Sequence, residues 1–583
     1  MKRQPGGSKP AQEPRHKPPA AVATIGLLSW QVLLGLLAML AAALAAYGPA
    51  LDGPFVLDDD YLPFGRPDAE TLGLIVWTAS RPVLGLTYYA NFLLSGQHPW
   101  PYHITNLLLH VAVAGIVFFI LRRALLDDTQ RNSLVAAIGA GVFLLHPLQT
   151  EAVAYVAGRS DVLCTLFAYA ALSVFLKYRQ PSIGFGAVAA VLGFSLLALL
   201  SKQQAVAIPA VLILIDLLWN QGSRLEALKR NIRLHSLLVA GAIAGAFWVF
   251  SVLALDTTAG LRVPGITPIE YFWTQRRVFW HYVRLLALPV GQNLDPDFAI
   301  SRSLLDHGAG AGLAGVLVLV VAAVWLRRSR PLASAGILTF LALLAPTSSL
   351  IPIADPVAER RVYFAMIGPL LVLVDLLRGW RTSQSFLAAV GLALLVVLGC
   401  ATYSRSALWG SEMALWRDTV AKSPKKLRPR FQLAHLLYRS QQCPEAAREY
   451  EAAAKLAKPR VDLLVDWGLA LDCAGRASEA LARLREALGT ERTYNSLAQL
   501  GMILAKQGHA DEALPLLSDA VALEPDQPSA WGYRGNVYAT QGRFQEAEAD
   551  YRRALALAPD DRAANQGMRS VKQRQGLQPG QAH

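Results

Sequence analysis

Apolar stretches of bilayer length recur through the first two-thirds of this chain, and that leaves the backbone few options. Inside lipid every N–H and C=O must be satisfied within the protein, so each such stretch becomes a helix. Windows of about twenty residues place spans near 24–47, 103–121, 133–149, 160–177, 183–200, 203–219, 235–255, 309–326, 332–351, 362–377 and 384–403. That is about eleven crossings. With 54% hydrophobic and only 17% charged residues over 583 positions, the chain reads as an integral membrane protein carrying a soluble part.

The basic residues orient the spans. The formal net charge is +13, but the excess falls in short clusters between apolar segments. Arg122, Arg123 and Arg131, then Lys177 and Arg179, then Arg224, Lys229, Arg230 and Arg233, then Arg327, Arg328 and Arg330, and finally Arg378 and Arg381 all fall on one side. That is the cytoplasmic signature, and it excludes the continuous basic stripe of a nucleic-acid binder. Residues 1–20 are Pro-rich, basic and too polar to fold alone, so they read as a cytosolic tail. The run from Ala21 to Ala46 exceeds a signal-peptide core and reads as a retained anchor. An odd number of spans then puts everything after Tyr403 outside the cytoplasm, in the periplasm of a bacterial inner-membrane protein.

The opposite face receives the polar chemistry: Asp58 to Asp60, His146 to Asp161, the long loop from Asp256 to His307, and Asp355 to Tyr363. In the long loop, Tyr271, Phe272, Trp273 and Trp280 alternate with Arg276, Arg277, His281 and Arg284, the pattern of an amphipathic helix at the membrane interface. Of four cysteines, Cys164 and Cys400 lie in apolar segments and read as core residues. Cys443 and Cys473 fall in the soluble part and can pair in an oxidising compartment.

After Ser411 the chain turns to Ala-rich amphipathic segments with an internal repeat. Units start at Arg428, Val461, Tyr494 and Pro528, with Gly468, Gly501 and Gly535 at one position and Ala447, Ala480, Ala513 and Ala547 at another. Pro459, Pro525 and Pro559 close three units. This is a tetratricopeptide (TPR) array, a solenoid of helix hairpins whose concave groove suits an extended peptide or protein surface. The chain thus divides into a tail at 1–20, a membrane domain at 21–405, a junction at 406–427, the array at 428–562 and a polar C-terminal tail at 563–583.

Adjacent carboxylates beside a bilayer are costly and repel one another, so Asp58, Asp59 and Asp60 call for a function. A carboxylate here can take the proton of an acceptor hydroxyl attacking an activated sugar. A divalent cation, Mg2+ or Mn2+, held by Asp58 and Asp59 fits the same pair. A solvated turn after a helix is the plainer alternative. Arg81-Pro-Val lies in the same loop, and His103, Asn106 and His110 share one helical face. The run His146-Pro-Leu-Gln-Thr-Glu151-Ala-Val leads into Gly158-Arg159-Ser-Asp161. Ala358-Glu359-Arg360-Arg361-Val-Tyr363 adds guanidinium groups suited to a lipid phosphate.

Together Phe55-Val-Leu-Asp-Asp59, the His146 to Asp161 motifs, Ala358 to Tyr363 and the repeat array resemble the transmembrane and TPR O-mannosyltransferase family and its bacterial relatives. The resemblance runs from about Leu44 to Pro559. It implies an all-α, GT-C type polytopic helical domain followed by a TPR solenoid, with catalytic loops on the extracytoplasmic face. It further implies a polyprenyl-phosphate-linked sugar as donor and a Ser or Thr hydroxyl on protein as acceptor. Asp58 or Asp59 matches the acidic pair assigned as base or metal ligand, Glu151, Arg159 and Asp161 the second motif, and Glu359 and Arg360 the third. Asp58, Asp59 and Glu151 are therefore the catalytic candidates; Arg81, His146, Arg159, Asp161, Glu359 and Arg360 are the candidates for donor phosphate and substrate. Asp60 departs from the pattern. Competing readings are a non-catalytic membrane scaffold, transfer to a glycan or lipid acceptor, and a lipid-linked-sugar flippase.

Overall fold

The computed structural model describes residues 30–61, 81–126, 129–180, 182–218, 224–253 and 259–576. The basic tail at 1–20 and the side chain of Asp60 lie outside the described residues. Among the described residues the chain is helical throughout, with no strand and one isolated bridge between Ala259 and Ile353.

The membrane domain comprises α1 (Trp30–Tyr47), α2 (Pro82–Ser95), α3 (Pro99–Ala124), α4 (Gln130–Leu145), α5 (Thr150–Ala154), α6 (Arg159–Tyr178), α7 (Phe185–Ser201) and α8 (Ile208–Leu218). It continues through α9 (Arg224–Arg230), α10 (Ile232–Leu253), α11 (Pro268–Ala287), α12 (Ala309–Leu326), α13 (Pro331–Leu344), α14 (Arg361–Ala365), α15 (Ile367–Gly379) and α16 (Gln384–Trp409). One apolar core joins most of these elements, running from Tyr47 and Leu107 through Phe143, Phe175 and Tyr363 to Leu398, while α2 packs through Tyr88 in a separate cluster with Tyr102 and Val156.

Within the described residues each of the eleven apolar windows is mainly helical, but the helices are of unequal length. Five helical stretches among the described residues are long and apolar enough to cross a membrane, and a sixth results if α4 and the segment Pro147–Ala154, bent by 48°, act as one span. Phe185–Ser201, Gln203–Leu218 and Pro331–Thr347 are apolar but shorter. At 1.5 Å per residue, helices of about 14–17 residues reach roughly 21–26 Å, short of the ~30 Å hydrocarbon thickness. Polar motifs interrupt the windows: Lys202 separates α7 from α8, and Glu359 to Arg361 precede the break between α14 and α15.

The amphipathic helix expected in the long loop is α11, capped by reciprocal Thr267 and Glu270 bonds. It does more than rest at an interface. Its buried face, Tyr271, Gln275, Val278, Phe279 and Tyr282, packs into the domain. Tyr271 donates to Thr347 O at 2.6 Å, Gln275 to Pro356 O at 2.8 Å and Tyr282 to Ala358 O at 3.1 Å, so α11 braces the loop leading to Glu359. Cys400, expected in the core, instead faces outward on α16, whereas Cys164 is buried.

The array follows α17 (Glu412–Lys422) as hairpins α18 (Leu427–Arg439) with α19 (Cys443–Ala454), α20 (Val461–Cys473) with α21 (Ala477–Thr490), α22 (Tyr494–Lys506) with α23 (Ala510–Leu523), and α24 (Pro528–Thr540) with α25 (Phe544–Leu557). Within each hairpin the turn needs one left-handed residue. Gly475, Gly508 and Gly542 supply it at φ 76°, 85° and 78°, while Gln441 takes the same place in the first repeat at φ 60°. A disulfide joins Cys443 to Cys473, tying the first repeat to the second. The segment read as a polar tail opens with a further helix, α26 (Arg562–Gly576), whose Ala564 and Val571 close the apolar end of the last hairpin around Tyr551. A terminal repeat with an open apolar face needs such a cap.

The array is docked onto the membrane domain. Asp295, buried in the loop after α11, accepts from Lys426 and from Arg428 at 2.6 and 2.7 Å, and Arg428 also reaches Asp355 at 3.0 Å. Asn293 donates to Ser423 Oγ at 2.7 Å, and Lys422 to Gln292 O at 2.7 Å.

Candidate active site

One face of α3 fixes three separate segments. His103 Nε2 lies 3.0 Å from Gly53 O, at the approach to the aspartates. One turn on, Asn106 donates to Tyr155 O at 3.1 Å and accepts from Arg159 at 2.7 Å. His110 Nδ1 meets the Tyr363 hydroxyl at 2.8 Å, at the end of the third motif. The helical spacing of these residues therefore brings the three motifs to one end of the domain.

The adjacent aspartates part company. Leu57 sits at φ 53°, a left-handed conformation that costs a leucine about 1–2 kcal/mol. Asp59 turns inward and is 2% exposed; its Oδ2 accepts from Val56 N at 3.1 Å and its Oδ1 from Ala157 N at 2.7 Å. Burial pushes this carboxyl up to about 8, against the downward pull of those backbone N–H groups. Asp58 is exposed, and its backbone N–H donates to the Tyr155 hydroxyl at 2.9 Å. Among the described residues Asp58 therefore has the free carboxylate, while Asp59 holds the loop against residues 156–158.

That second segment must lie close. Pro147 starts a short 3-10 turn, and α5 then folds Glu151 back into the protein. A Cβ on Gly158 would stand 2.7 Å from Ala152 O, so only glycine permits this approach. Glu151 is buried and accepts from Arg360 twice, from the Arg360 guanidinium at 2.5 Å and from the Arg360 backbone N–H at 3.1 Å. The Arg360 guanidinium also lies 5.7 Å from the Tyr155 ring centre and 3.9 Å from Asp161. Asp161 is fully buried, accepting from Lys202 at 2.6 Å and Gln204 at 3.2 Å. Arg81 completes the group, donating to Gln203 at 3.1 Å. The sequence reading singled out Arg81, Glu151, Asp161 and Arg360. It passed over Lys202, Gln203, Gln204 and Tyr155, although a lysine between two apolar helices is itself a marker of function.

Three other candidates serve the frame. Arg159 is completely buried: it donates to Asn106, to Thr87 O at 3.2 Å and to Tyr102 O at 3.0 Å, and stacks 4.6 Å from the Tyr88 ring centre. With its fork filled by protein acceptors, it locks α2, α3 and α6 together instead of facing a phosphate. His146 accepts from Leu148 N at 3.2 Å and lies 3.1 Å from Leu286 O, which fixes the turn before α5. Glu359 is 2% exposed and accepts from Asn293 N at 2.6 Å, linking the third motif to the array junction. Burial pushes its carboxyl up to about 7, opposed by Arg405.

Among the described residues, the groups around Asp58 and Asp59 do not make a divalent-cation site. Both Asp59 oxygens already accept backbone donors, and among the described residues no group of three His, Cys, Asp or Glu side chains has the arrangement to hold a metal. Asp58 and Asp59 face different ways and do not form a shared set of hard oxygen ligands.

The tetratricopeptide repeat family model matches residues 499–562. The chain is 24% identical over 453 residues to Protein O-mannosyl-transferase F38B6.6 of Caenorhabditis elegans, covering 73% of this chain and 63% of that protein. It is 23% identical over 525 residues to Protein O-mannosyl-transferase TMTC3 of Homo sapiens, covering 83% of this chain and 54% of that protein. Over 98 residues it is 38% identical to Protein O-mannosyl-transferase TMTC2 of Mus musculus, 17% of this chain and 11% of that protein. The chain thus spans 63% of the length of the Caenorhabditis elegans relative and 54% of the human TMTC3 protein. Among solved structures, TTC0263, a thermophilic TPR protein in Thermus thermophilus, is 22% identical, covering 31% of this chain and 97% of that chain at a TM-score of 0.26.

Proposed function

We propose that this TPR-bearing relative of the protein O-mannosyl-transferases is a multi-pass membrane glycosyltransferase. It moves a monosaccharide from a polyprenyl-phosphate donor to a Ser or Thr hydroxyl of an extracytoplasmic protein, and the array binds that acceptor. The observation that carries this reading is that Tyr155 joins the segment bearing the exposed Asp58 to the cationic cluster: its hydroxyl accepts from the Asp58 backbone N–H and its ring lies beside Arg360.

The donor phosphate lies against Arg360 and Arg81, with its lipid tail in the bilayer. The acceptor oxygen attacks the anomeric carbon as the bond from that carbon to the phosphate oxygen breaks. Asp58 takes the hydroxyl proton as the new bond forms, because a carboxylate is too weak a base to remove it beforehand. The bonding pair of the broken bond leaves with the polyprenyl phosphate, whose growing charge the guanidinium groups stabilise. No step needs a divalent cation, so a chelator leaves transfer unchanged.

In this reading the site and the array face the periplasm, and the enzyme resides in a bacterial inner membrane. The Cys443–Cys473 disulfide supports an oxidising compartment for the array. Intact-mass analysis of periplasmic proteins from cells with and without the gene tests the function. Loss of a hexose-sized mass from particular proteins, repeated by Asp58→Asn, supports it; unchanged masses overturn it and favour a non-catalytic scaffold.

A further inference from the structure

We propose that Lys202 is a further donor-binding residue, whose ammonium group, held at rest by Asp161, joins Arg81 and Arg360 in gripping the donor phosphate. This inference rests on the lipid-phosphate reading above.

Lys202 is the single extended residue between α7 and the turn Gln203–Ala207 that leads into α8, at φ −160° and ψ 138°. Both neighbours are apolar helices. A lysine at such a break carries a desolvation cost that structure alone does not require, since a polar neutral residue can end a helix. Its Nζ has three protons to donate, and Asp161 accepts one at 2.6 Å. No other acceptor for it occurs among the described residues. The side chain is 15% exposed while Asp161 is fully buried, so Lys202 is the more accessible member of the pair.

Charge counting points the same way. Arg81, Lys202 and Arg360 act electrostatically on one another and on Asp161. Their described counter-ions are Glu151 and Asp161, both buried and both engaged. Among the described residues, three cations against two carboxylates leave this partly buried cluster one positive charge in excess, an arrangement that an incoming anion completes. A structural role for Lys202 would be only to neutralise Asp161. In that case removing both charges together would cost function nothing.

The test uses the full chain in lipid nanodiscs with farnesyl phosphate, farnesol and inorganic phosphate as probes. Wild type is expected to bind farnesyl phosphate at least tenfold more tightly than either of the others. Lys202→Met should lose at least tenfold in that affinity, and Lys202→Arg should stay within about threefold. The double variant Lys202→Met with Asp161→Asn leaves no orphan carboxylate; it should remain weak while melting near the wild-type temperature. If the double variant binds farnesyl phosphate like wild type, the Lys202 assignment is overturned and the lipid-phosphate reading stands. If wild type itself does not distinguish farnesyl phosphate from farnesol, that reading fails first. Equal affinity for inorganic phosphate would make this a free-phosphate site and would also overturn the proposal.

Discussion

Arg360 is joined to Glu151 twice, once by its guanidinium at 2.5 Å and once by its backbone N–H at 3.1 Å, so one carboxylate sets both the position of the chain and the direction of the side chain. Glu151 stood among the catalytic candidates in sequence. Its geometry makes it the residue that aims Arg360, with both oxygens committed.

Glu151→Gln is therefore expected to raise KM for the donor more than it lowers kcat. Breaking a buried pair costs about 3–5 kcal/mol, and less here because Arg360 keeps partial exposure. Steady-state kinetics at varied donor concentration, with a melting curve, separates this outcome from loss of a base, which would fall on kcat.

Asp58→Asn and Asp59→Asn should fail in different ways. The first should lower kcat about 10²–10⁴-fold with an unchanged melting temperature. The second replaces an acceptor that serves two backbone N–H groups by an amide that can accept on one side only. It should cost about 1–3 kcal/mol of stability and reduce activity by loosening the loop.

Stability should depend on pH through the same residue. In the folded protein Asp59 holds its proton up to about 8, whereas an unfolded aspartate loses it near about 3.9. Between these values the folded state binds more protons, so stability is full below about 4 and declines as pH rises toward 8. Glu359, pushed up to about 7, adds a slope of the same sign. Melting temperatures from pH 5 to 8 should fall for wild type, fall less for Asp59→Asn, and flatten further when Glu359→Gln is added.

The disulfide should matter to the array alone. Closing the loop between Cys443 and Cys473 is worth about 3–4 kcal/mol by chain entropy. Reductant, or Cys443→Ser with Cys473→Ser, should lower the unfolding temperature of the array. Proteolysis should follow in the first two repeats while the membrane domain stays resistant.

Much of this architecture could be read from the sequence because it is periodic. Apolar windows located the helices, and a repeat of 33 to 34 residues located the hairpins. The polar motifs announced themselves by standing where polarity is costly. What stayed hidden depended on folding back. Arg159 and Arg360 look alike in sequence, yet one is wrapped by Thr87, Tyr102 and Asn106 and the other faces the cluster. Asp58 and Asp59 are neighbours whose difference arises from one left-handed leucine. Lys202 was passed over because its partner Asp161 lies 41 positions earlier. Hydropathy windows likewise register composition and ignore the breaks that shorten a helix.

The contacts of Asp295 with Lys426 and Arg428 and of Asn293 with Ser423 mean that the array cannot swing as a tethered arm. Whatever the groove holds arrives at one height and one orientation. On the proposed reading, the interval along an acceptor between the segment gripped and the hydroxyl presented is then a fixed length, a ruler whose zero is the clamp at Asp295.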